Sequence, residues 1–338
     1  MIKNALETIN KLKVVRSGFR VHRRRGDTPA EAYHAMRQLY VLTNGRFNDW
    51  VSRYISYKHP AKKIEGSSSI IADTEIPDAV NAIEKDGYYI FKSSLPDEVL
   101  RSLVEYGKNQ PCRVLVSKDS NAVNFALSDE KFPYDPNIES PKFSFDAIDL
   151  VSNPTIQMLL MDVGFRRVAQ AFLRSDPILD LVAMWWSQPS GGMAHSSAAQ
   201  LYHFDMDRLK FVKFFFYLTD VDTDTGPHCY IRGSSKRKPK QVLRDGRIND
   251  DEIMEAYSEE QYTEICGPAG TIIAVDTRGF HKGKPLLQRN RLLLQIEMTN
   301  SMFGATYAPV PFDPSWPEDF TDFVRNDPRF VGIIQQPE

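Results

Sequence analysis

Apolar positions with the period of an α-helix dominate the first part of the chain. The pattern predicts a helix over 1–15, and Asp27-Thr28-Pro29 predicts the start of a second one, with Pro29 at its first helical position. Asn44-Gly45 interrupts this second helix, and a further helical piece continues to about residue 55. Helices are predicted again over 76–84 and 95–108.

The second half of the chain has a different pattern. After a helical stretch over 153–173, short apolar segments follow one another, separated by turns rich in Gly and Pro. Strands are predicted over 88–91 and then at 179–187, 200–206, 211–219, 229–232, 271–275 and 291–300. Many short strands with such turns favour a closed or two-sheet β arrangement. The stretch after Gly304 is rich in Pro, Asp and aromatic residues, and it predicts an irregular strap.

Composition narrows the class of protein. Hydrophobic residues make up 42% of the 338 residues and charged residues 25%, which is typical of a globular protein and excludes a disordered or collagen-like chain. The three cysteines form no CxxC pair, which argues against a disulfide framework and a cysteine zinc site. We expect no transmembrane segment, because no apolar stretch is long enough, and we expect a cytoplasmic protein.

The net charge of −2 argues against a dedicated nucleic-acid binder, but the charge is unevenly distributed. Residues 1–65 carry 14 Lys and Arg against 5 Asp and Glu, whereas the remainder carries 28 against 39. This shift predicts a basic helical extension over 1–66 and a second domain over 67–338. The basic extension has two interpretations: peripheral contact with an anionic surface, or packing on its own acidic domain. The second interpretation is favoured.

The candidate chemistry lies in three segments of the strand-rich region. In a strand, residues i and i+2 point to one side, so His203 and Asp205 present an imidazole and a carboxylate on one face. His281 follows a later apolar strand, and Arg291 begins the last one. Two histidines and a carboxylate form the ligand set of non-haem Fe(II) oxygenases. The His-x-Asp pair alone is a weak signal, but the full order of residues is a stronger one.

Residues 75–300 resemble the phytanoyl-CoA dioxygenase family of Fe(II)- and 2-oxoglutarate-dependent oxygenases. The resemblance rests on a series of motifs in the family's order: Glu84-Lys85-Asp86-Gly87-Tyr88, His203-x-Asp205, Tyr217 to Asp222, Thr225-Gly226-Pro227, Gly233-Ser234-Ser235, Gly270, His281 and Arg291. It implies a mainly β fold with flanking helices (α+β), built on a double-stranded β-helix of the jelly-roll, cupin-like type.

The resemblance also implies a function. Fe(II) is expected on His203, Asp205 and His281, and 2-oxoglutarate is expected to chelate the iron with its distal carboxylate on Arg291. The reaction uses O₂, releases succinate and CO₂, and hydroxylates a small organic or carrier-linked substrate. The alternative is a non-catalytic jelly-roll protein that binds a metal or a glycan as a scaffold or sensor.

One departure from the family pattern concerns the co-substrate. A small hydroxyl residue often sits two places after the distal histidine, where this chain has Gly283. Thr277 or Tyr217 is the expected substitute, unless Arg291 works without one. Gln200 is expected to reach the site only if a bulge turns it inward.

Asp205 favours hydroxylation, because related halogenases carry a small residue at this position. Asp207 is a competing ligand on the same predicted strand face, but the family spacing favours Asp205. Asp207 and Arg208 are expected to line the substrate mouth or to form an exposed pair. Two further substrate contacts are considered. Trp185 is a candidate wall, although core packing is the favoured interpretation, and His195 lies in a loop expected to border the pocket.

Overall fold

The computed structural model describes residues 2–117, 125–189 and 199–335. The chain begins with three helices, α1 (Ile2–Arg25), α2 (Ala30–Thr43) and α3 (Arg46–Lys58). Helix α1 continues well past the predicted end near residue 15, so the basic run at 20–25 lies within it. Seven further helices lie in the described part of the chain: α4 (Ile76–Lys85), α5 (Asp97–Asn109), α6 (Ala147–Val151), α7 (Pro154–Met161), α8 (Val163–Leu173), α9 (Asp250–Ala256) and α10 (Glu318–Asn326).

Two antiparallel sheets form the centre of the molecule. The strands in chain order are β1 (Tyr88–Ser94), β2 (Arg113–Ser117), β3 (Phe125–Leu127), β4 (Lys142–Ser144), β5 (Ile178–Ser187), β6 (Phe211–Tyr217), β7 (His228–Ile231), β8 (Tyr262–Ile265), β9 (Thr271–Val275), β10 (His281–Gly283) and β11 (Arg291–Thr299). The large sheet has the order β1-β9-β6-β11-β5-β4-β2-β3, and the small sheet has the order β10-β7-β8. This arrangement is the expected double-stranded β-helix with flanking helices, so the predicted fold class is confirmed.

The alternation of side chains along the central strands separates two interiors. On β6, Phe214 and Phe216 pack against Phe165 of α8, with ring centroids 5.2 and 5.3 Å apart. Phe215 and Tyr217 face the opposite way and join a second apolar cluster with residues of the small sheet. The helices therefore cover one face of the large sheet, and the space between the two sheets is left for the functional site.

The N-terminal helices pack on the β-domain. Val15, Ala32 and Met36 form one buried cluster with Leu209 and Phe303 of the domain. A second set of contacts is polar: Arg37 pairs with Asp245, Asn44 donates to the Lys238 carbonyl, and Lys238 Nζ lies 3.0 Å from Tyr40 Oη. The basic extension therefore packs on its own domain, as the favoured interpretation predicted.

Two predicted elements differ in the structure. Residues 200–206 form no strand, and only Tyr202 and His203 make single bridges, to Ile248 and His281. The region after Gly304 is not wholly irregular, because it contains the amphipathic helix α10, which buries Phe320 and Val324. The short strands β2, β3, β4 and β8 had no recognisable pattern in the sequence. Among the helices of the described residues, none is both long enough and apolar enough to cross a membrane.

Candidate metal centre

Backbone hydrogen bonds bring the three predicted ligands together. His203 and His281 face each other across a bridge, in which His281 N donates to His203 O (2.9 Å) and His203 N donates to His281 O (3.1 Å). Asp205 N donates to Thr277 O at 2.8 Å. The segment before β6 is therefore held against the segment before β10, and this arrangement replaces the predicted strand as the reason why the side chains meet.

The three side chains converge on one point between the sheets. His203 Nε2 lies 3.6 Å from Asp205 Oδ1, and His281 Nε2 lies 3.5 Å from Asp205 Oδ2. One ligand atom from each residue can be chosen so that all three lie within 4.8 Å of one another. Such a spacing fits three ligands on one face of a single metal ion.

The tautomers of the two histidines follow from their backbone contacts. His203 Nδ1 lies 2.9 Å from Leu201 O, and His281 Nδ1 lies 3.0 Å from Gly279 O. A carbonyl only accepts, so each Nδ1 carries the hydrogen and each Nε2 keeps its lone pair. Burial lowers the pKa of both imidazoles, which keeps them neutral. The two Nε2 lone pairs and the Asp205 carboxylate therefore form a set of donors that carry no proton. Such a set suits a divalent cation.

A buried lysine joins this cluster. Lys213 of β6 donates to Asp205 Oδ2 at 2.8 Å and lies 3.3 Å from Glu297 Oε2. Burial opposes its charge, but Asp205, Glu297 and Asp207 together raise the pKa of Lys213 well above its usual value. The ammonium is therefore charged. Sequence reasoning missed this residue because its inward direction depends on the register of β6 within the sheet.

Arg291 lies between the sheets at the start of β11 and is 6% exposed. Its Nη2 donates to Ser187 Oγ at 3.4 Å, and its Nε has no hydrogen-bond partner within the described residues. Most buried arginines are paired with an acidic group, so a guanidinium with a free donor is suited to an anionic ligand.

Lys142 is a second cation beside Arg291 that the sequence did not reveal. In the large sheet, Ser187 is paired with Lys142 on one side and with Arg291 on the other. Burial and the nearby Arg291 lower the pKa of Lys142 to about 8. Its Nζ lies 4.8 Å from the centre of the Trp185 ring, which places Trp185 at the cationic pocket. Lys142 is hard to recognise in the sequence, since β4, on which it lies, has only three residues.

Three further residues were predicted to contact the co-substrate, and their surroundings differ from one another: Tyr217, Thr277 and Gln200. Tyr217 Oη donates to Ile265 O at 2.7 Å and accepts from His228 N at 3.1 Å, so its hydroxyl is already engaged. Thr277 Oγ1 is buried without a hydrogen-bond partner in the part of the chain that the structure describes. Gln200 is 3% exposed and directly precedes Leu201, whose carbonyl fixes the His203 tautomer.

The substrate-side predictions need one correction. Arg208 was expected at the substrate mouth or in an exposed pair with Asp207, but it is 2% exposed and pairs with Asp180, with Nε and Nη2 each 2.6 Å from a carboxylate oxygen. The β5–β11 pairing shifts register between Glu297 and Met298, close to Asp180. Asp207 Oδ2 instead lies 3.6 Å from Lys213 Nζ. His195 lies outside the described residues.

His228 was given no role in the sequence analysis, yet its ring lies beside the cluster. It stacks on His281 with ring centroids 5.3 Å apart and approaches Phe215 at 5.0 Å. Burial and the nearby Arg291 lower the pKa of His228 to about 3, so the ring is neutral. His228 therefore forms an uncharged aromatic wall between the ligand cluster and Arg291.

Comparisons with known proteins give one family match. The model described as phytanoyl-CoA dioxygenase matches residues 83–287, which is more than half of the chain. No curated protein matches the sequence.

Solved structures with similar folds have low sequence identity. The crystal structure of EvdMO1 has 16% identity and a TM-score of 0.45, over 67% of this chain and 50% of that chain, so the present chain spans half its length. AviO1 from Streptomyces viridochromogenes Tue57 has 14% identity and a TM-score of 0.42, over 73% and 98% of the two chains. The apoform of EctD from S. alaskensis has 14% identity and a TM-score of 0.46, over 71% and 81%.

Proposed function

Given that this chain belongs to the phytanoyl-CoA dioxygenase family and is a 2-oxoglutarate-dependent non-haem iron dioxygenase, we propose that it hydroxylates a small organic or carrier-linked substrate. Iron together with O₂ and 2-oxoglutarate supplies the oxidising power, and 2-oxoglutarate leaves as succinate and CO₂. The family match and the converged ligand residues support an oxygenase over the non-catalytic scaffold that the sequence had left open.

The observation that carries the proposal is the convergence of three proton-free ligand groups. His203, Asp205 and His281 would hold the iron through the two Nε2 atoms and a carboxylate oxygen. Because the backbone fixes both tautomers, the site is organised before a metal arrives. The presence of Asp205 favours hydroxylation, since a third protein ligand takes the position that halogenases leave open.

The cationic pocket beside this centre would bind the distal carboxylate of 2-oxoglutarate. Arg291 offers a guanidinium that can donate two parallel hydrogen bonds, and Lys142 adds a second positive charge. The neutral ring of His228 and the apolar face of Phe215 lie beside the ligands and exclude water from this side. Exclusion of water strengthens the attraction between the pocket and the dianion.

The N-terminal extension carries exposed side chains that favour contact with a surface outside the protein. Arg23, Arg24 and Arg25 at the end of α1 are exposed and form no ion pair in the described structure. On α3, the side chains of Trp50, Tyr54 and Tyr57 are also exposed. Arginines with exposed Trp and Tyr are typical of surfaces that meet anionic lipid headgroups. We propose that these exposed side chains make peripheral contact with an anionic membrane surface.

Oxygen-isotope labelling tests the hydroxylase proposal. The protein is incubated with Fe(II), 2-oxoglutarate, ¹⁸O₂ and a panel of small acids, amines and carrier-linked compounds. A substrate should yield a product with one ¹⁸O atom and, in equal amount, succinate with the other. Succinate formed with a product that has gained no oxygen, as in an epimerisation or a ring closure, would contradict hydroxylation while leaving the dioxygenase class intact.

A further inference from the structure

Lys213 places a positive charge directly beside one of the three residues that would hold the metal ion. Its side chain is 8% exposed and extends from β6 into the space between the sheets. The proposed chemistry does not require an ammonium group at this point. A charged lysine in such a position must therefore be explained by what it contacts.

Three carboxylates surround the ammonium group. The Nζ atom lies 2.8 Å from Asp205 Oδ2, 3.3 Å from Glu297 Oε2 and 3.6 Å from Asp207 Oδ2. Glu297 is fully buried on β11 and is paired with Lys213 across the β6–β11 ladder. Burial and the nearby Asp180 raise the pKa of Glu297 well above its usual range, which favours its uncharged form. A buried lysine is tolerated only when it is paired, and these contacts provide the pairing.

We propose that Lys213 is a built-in counter-ion of Asp205 that competes electrostatically with the bound metal and thereby sets the affinity of the site for divalent cations. This inference rests on the ligand assignment of the proposed function. In that account Lys213 is a positioning residue, because it acts on the metal only through Asp205.

The sign of the effect follows from the charges. Without metal, the ammonium compensates the Asp205 carboxylate and keeps it in place. With metal, a divalent cation and the ammonium share one carboxylate, and their repulsion is weakly screened between the sheets. Removing the ammonium should therefore tighten metal binding. Glu297→Gln should leave metal binding nearly unchanged, because burial raises the pKa of Glu297 well above its usual range and an amide resembles the uncharged acid.

A purely orienting lysine would have the opposite effect. If the hydrogen bond to Asp205 Oδ2 mattered only for ligand geometry, its loss would weaken metal binding roughly 10–100-fold, as is usual for partners of metal ligands. A lysine that only supports the fold would change stability and leave metal affinity unchanged. Three roles thus predict three different results.

In the experiment the metal-free protein is titrated with Co(II), and binding is measured by calorimetry and by the visible absorption of the bound ion. The variants are Lys213→Met, Glu297→Gln and the double variant Lys213→Met with Glu297→Gln. The control is Lys210→Met, because Lys210 is a nearby lysine whose ammonium donates to Phe172 O and not to the cluster.

We expect Lys213→Met to bind Co(II) at least about tenfold more tightly than the wild type, and Glu297→Gln to bind it within about threefold of the wild type. The double variant should bind at least about tenfold more tightly than Glu297→Gln, which keeps the test valid if Lys213→Met alone does not fold. Lys210→Met should match the wild type. Saturating Co(II) should also restore the melting temperature of the Lys213→Met protein, as the single or the double variant, because the bound metal replaces the missing positive charge.

Unchanged or weaker Co(II) binding in the Lys213→Met proteins would overturn the inference. So would a Glu297→Gln protein that binds Co(II) as tightly as Lys213→Met does, because the effect would then not depend on the ammonium charge. A wild-type protein that binds no Co(II) would instead overturn the ligand assignment itself, and the inference with it.

Discussion

Arg291 is unusual among buried arginines because no carboxylate among the described residues is paired with it. Within that part of the chain its guanidinium donates to the Ser187 hydroxyl at 3.4 Å, and Lys142 adds a second positive charge close by. Two cations without an acidic partner are costly unless an anion joins them. In the proposed function the co-substrate supplies that anion, so the pocket gives a direct test at the scale of one residue.

We predict that Arg291→Met raises the dissociation constant of 2-oxoglutarate at least about a hundredfold, because two charge-assisted hydrogen bonds are lost. Calorimetric titration of the Co(II)-loaded protein with 2-oxoglutarate measures it. The control is Arg289→Met, since Arg289 is exposed and pairs with Asp222. Equal effects of the two variants would refute the role of Arg291.

At the residue scale, the sequence predicted which ligand types would meet. The order of His203, Asp205 and His281 was sufficient to predict that their side chains meet. Contacts that depend on strand register were missed: Lys213 and Lys142 are ordinary lysines in sequence, and the pairing of β6 with β11 and of β4 with β5 turns them inward. Arg208 was misjudged for the same reason, because its partner Asp180 lies on a distant strand.

At the element scale, the long apolar strands β5, β6, β9 and β11 were predictable because they are buried on both sides. The strands β2, β3 and β4 were not, since each has at most three consecutive apolar residues, whereas even the five-residue β9 has four. Residues 200–206 were predicted as a strand but do not form one. The same-face argument for His203 and Asp205 led to the right cluster, but single backbone bonds to His281 and Thr277 hold the segment.

Gly283 on β10 gives a prediction at this scale. A Cβ built on Gly283 would lie 3.9 Å from Arg291 Nη2 and 3.9 Å from Ala199 O, so a small side chain fits beside the cationic pocket. Gly283→Ser should bind 2-oxoglutarate about 3–10-fold more tightly than Gly283→Ala, because only serine adds a hydrogen-bond donor. Titration of both Co(II)-loaded variants checks this. Identical dissociation constants would place the co-substrate away from Gly283.

At the scale of the whole molecule, the acidic domain and the basic extension form one packed unit. Phe303 of the domain stacks on Phe19 of α1 with ring centroids 3.9 Å apart, and Gly304 N donates to Thr28 Oγ1 at 3.1 Å. The charge imbalance in the sequence predicted a separate extension, and apolar contacts between distant segments, which no local pattern reveals, fix its position. The extension also lies outside the residues that the family model matches.

The exposed face of the extension leads to a prediction about binding. The protein should bind vesicles with anionic lipids, and the binding should fall as salt is raised, because surface charges are screened. Changing Arg23, Arg24 and Arg25 to Glu should abolish it. The matched control changes Lys85, Lys92 and Lys108 to Glu, which are exposed lysines of the acidic domain. Vesicle sedimentation measures both, and equal losses in the two triple variants would rule out a specific face.

The central claim is that His203, Asp205 and His281 hold the iron and that 2-oxoglutarate binds to it. Anaerobic addition of Fe(II) and 2-oxoglutarate, followed by visible spectroscopy, tests it most directly. The wild type and Asp207→Asn, which removes the charge of the competing carboxylate, should develop a weak charge-transfer band. Asp205→Ala and His281→Ala should lose or shift it. A band that is unchanged in Asp205→Ala and absent in Asp207→Asn would contradict the account.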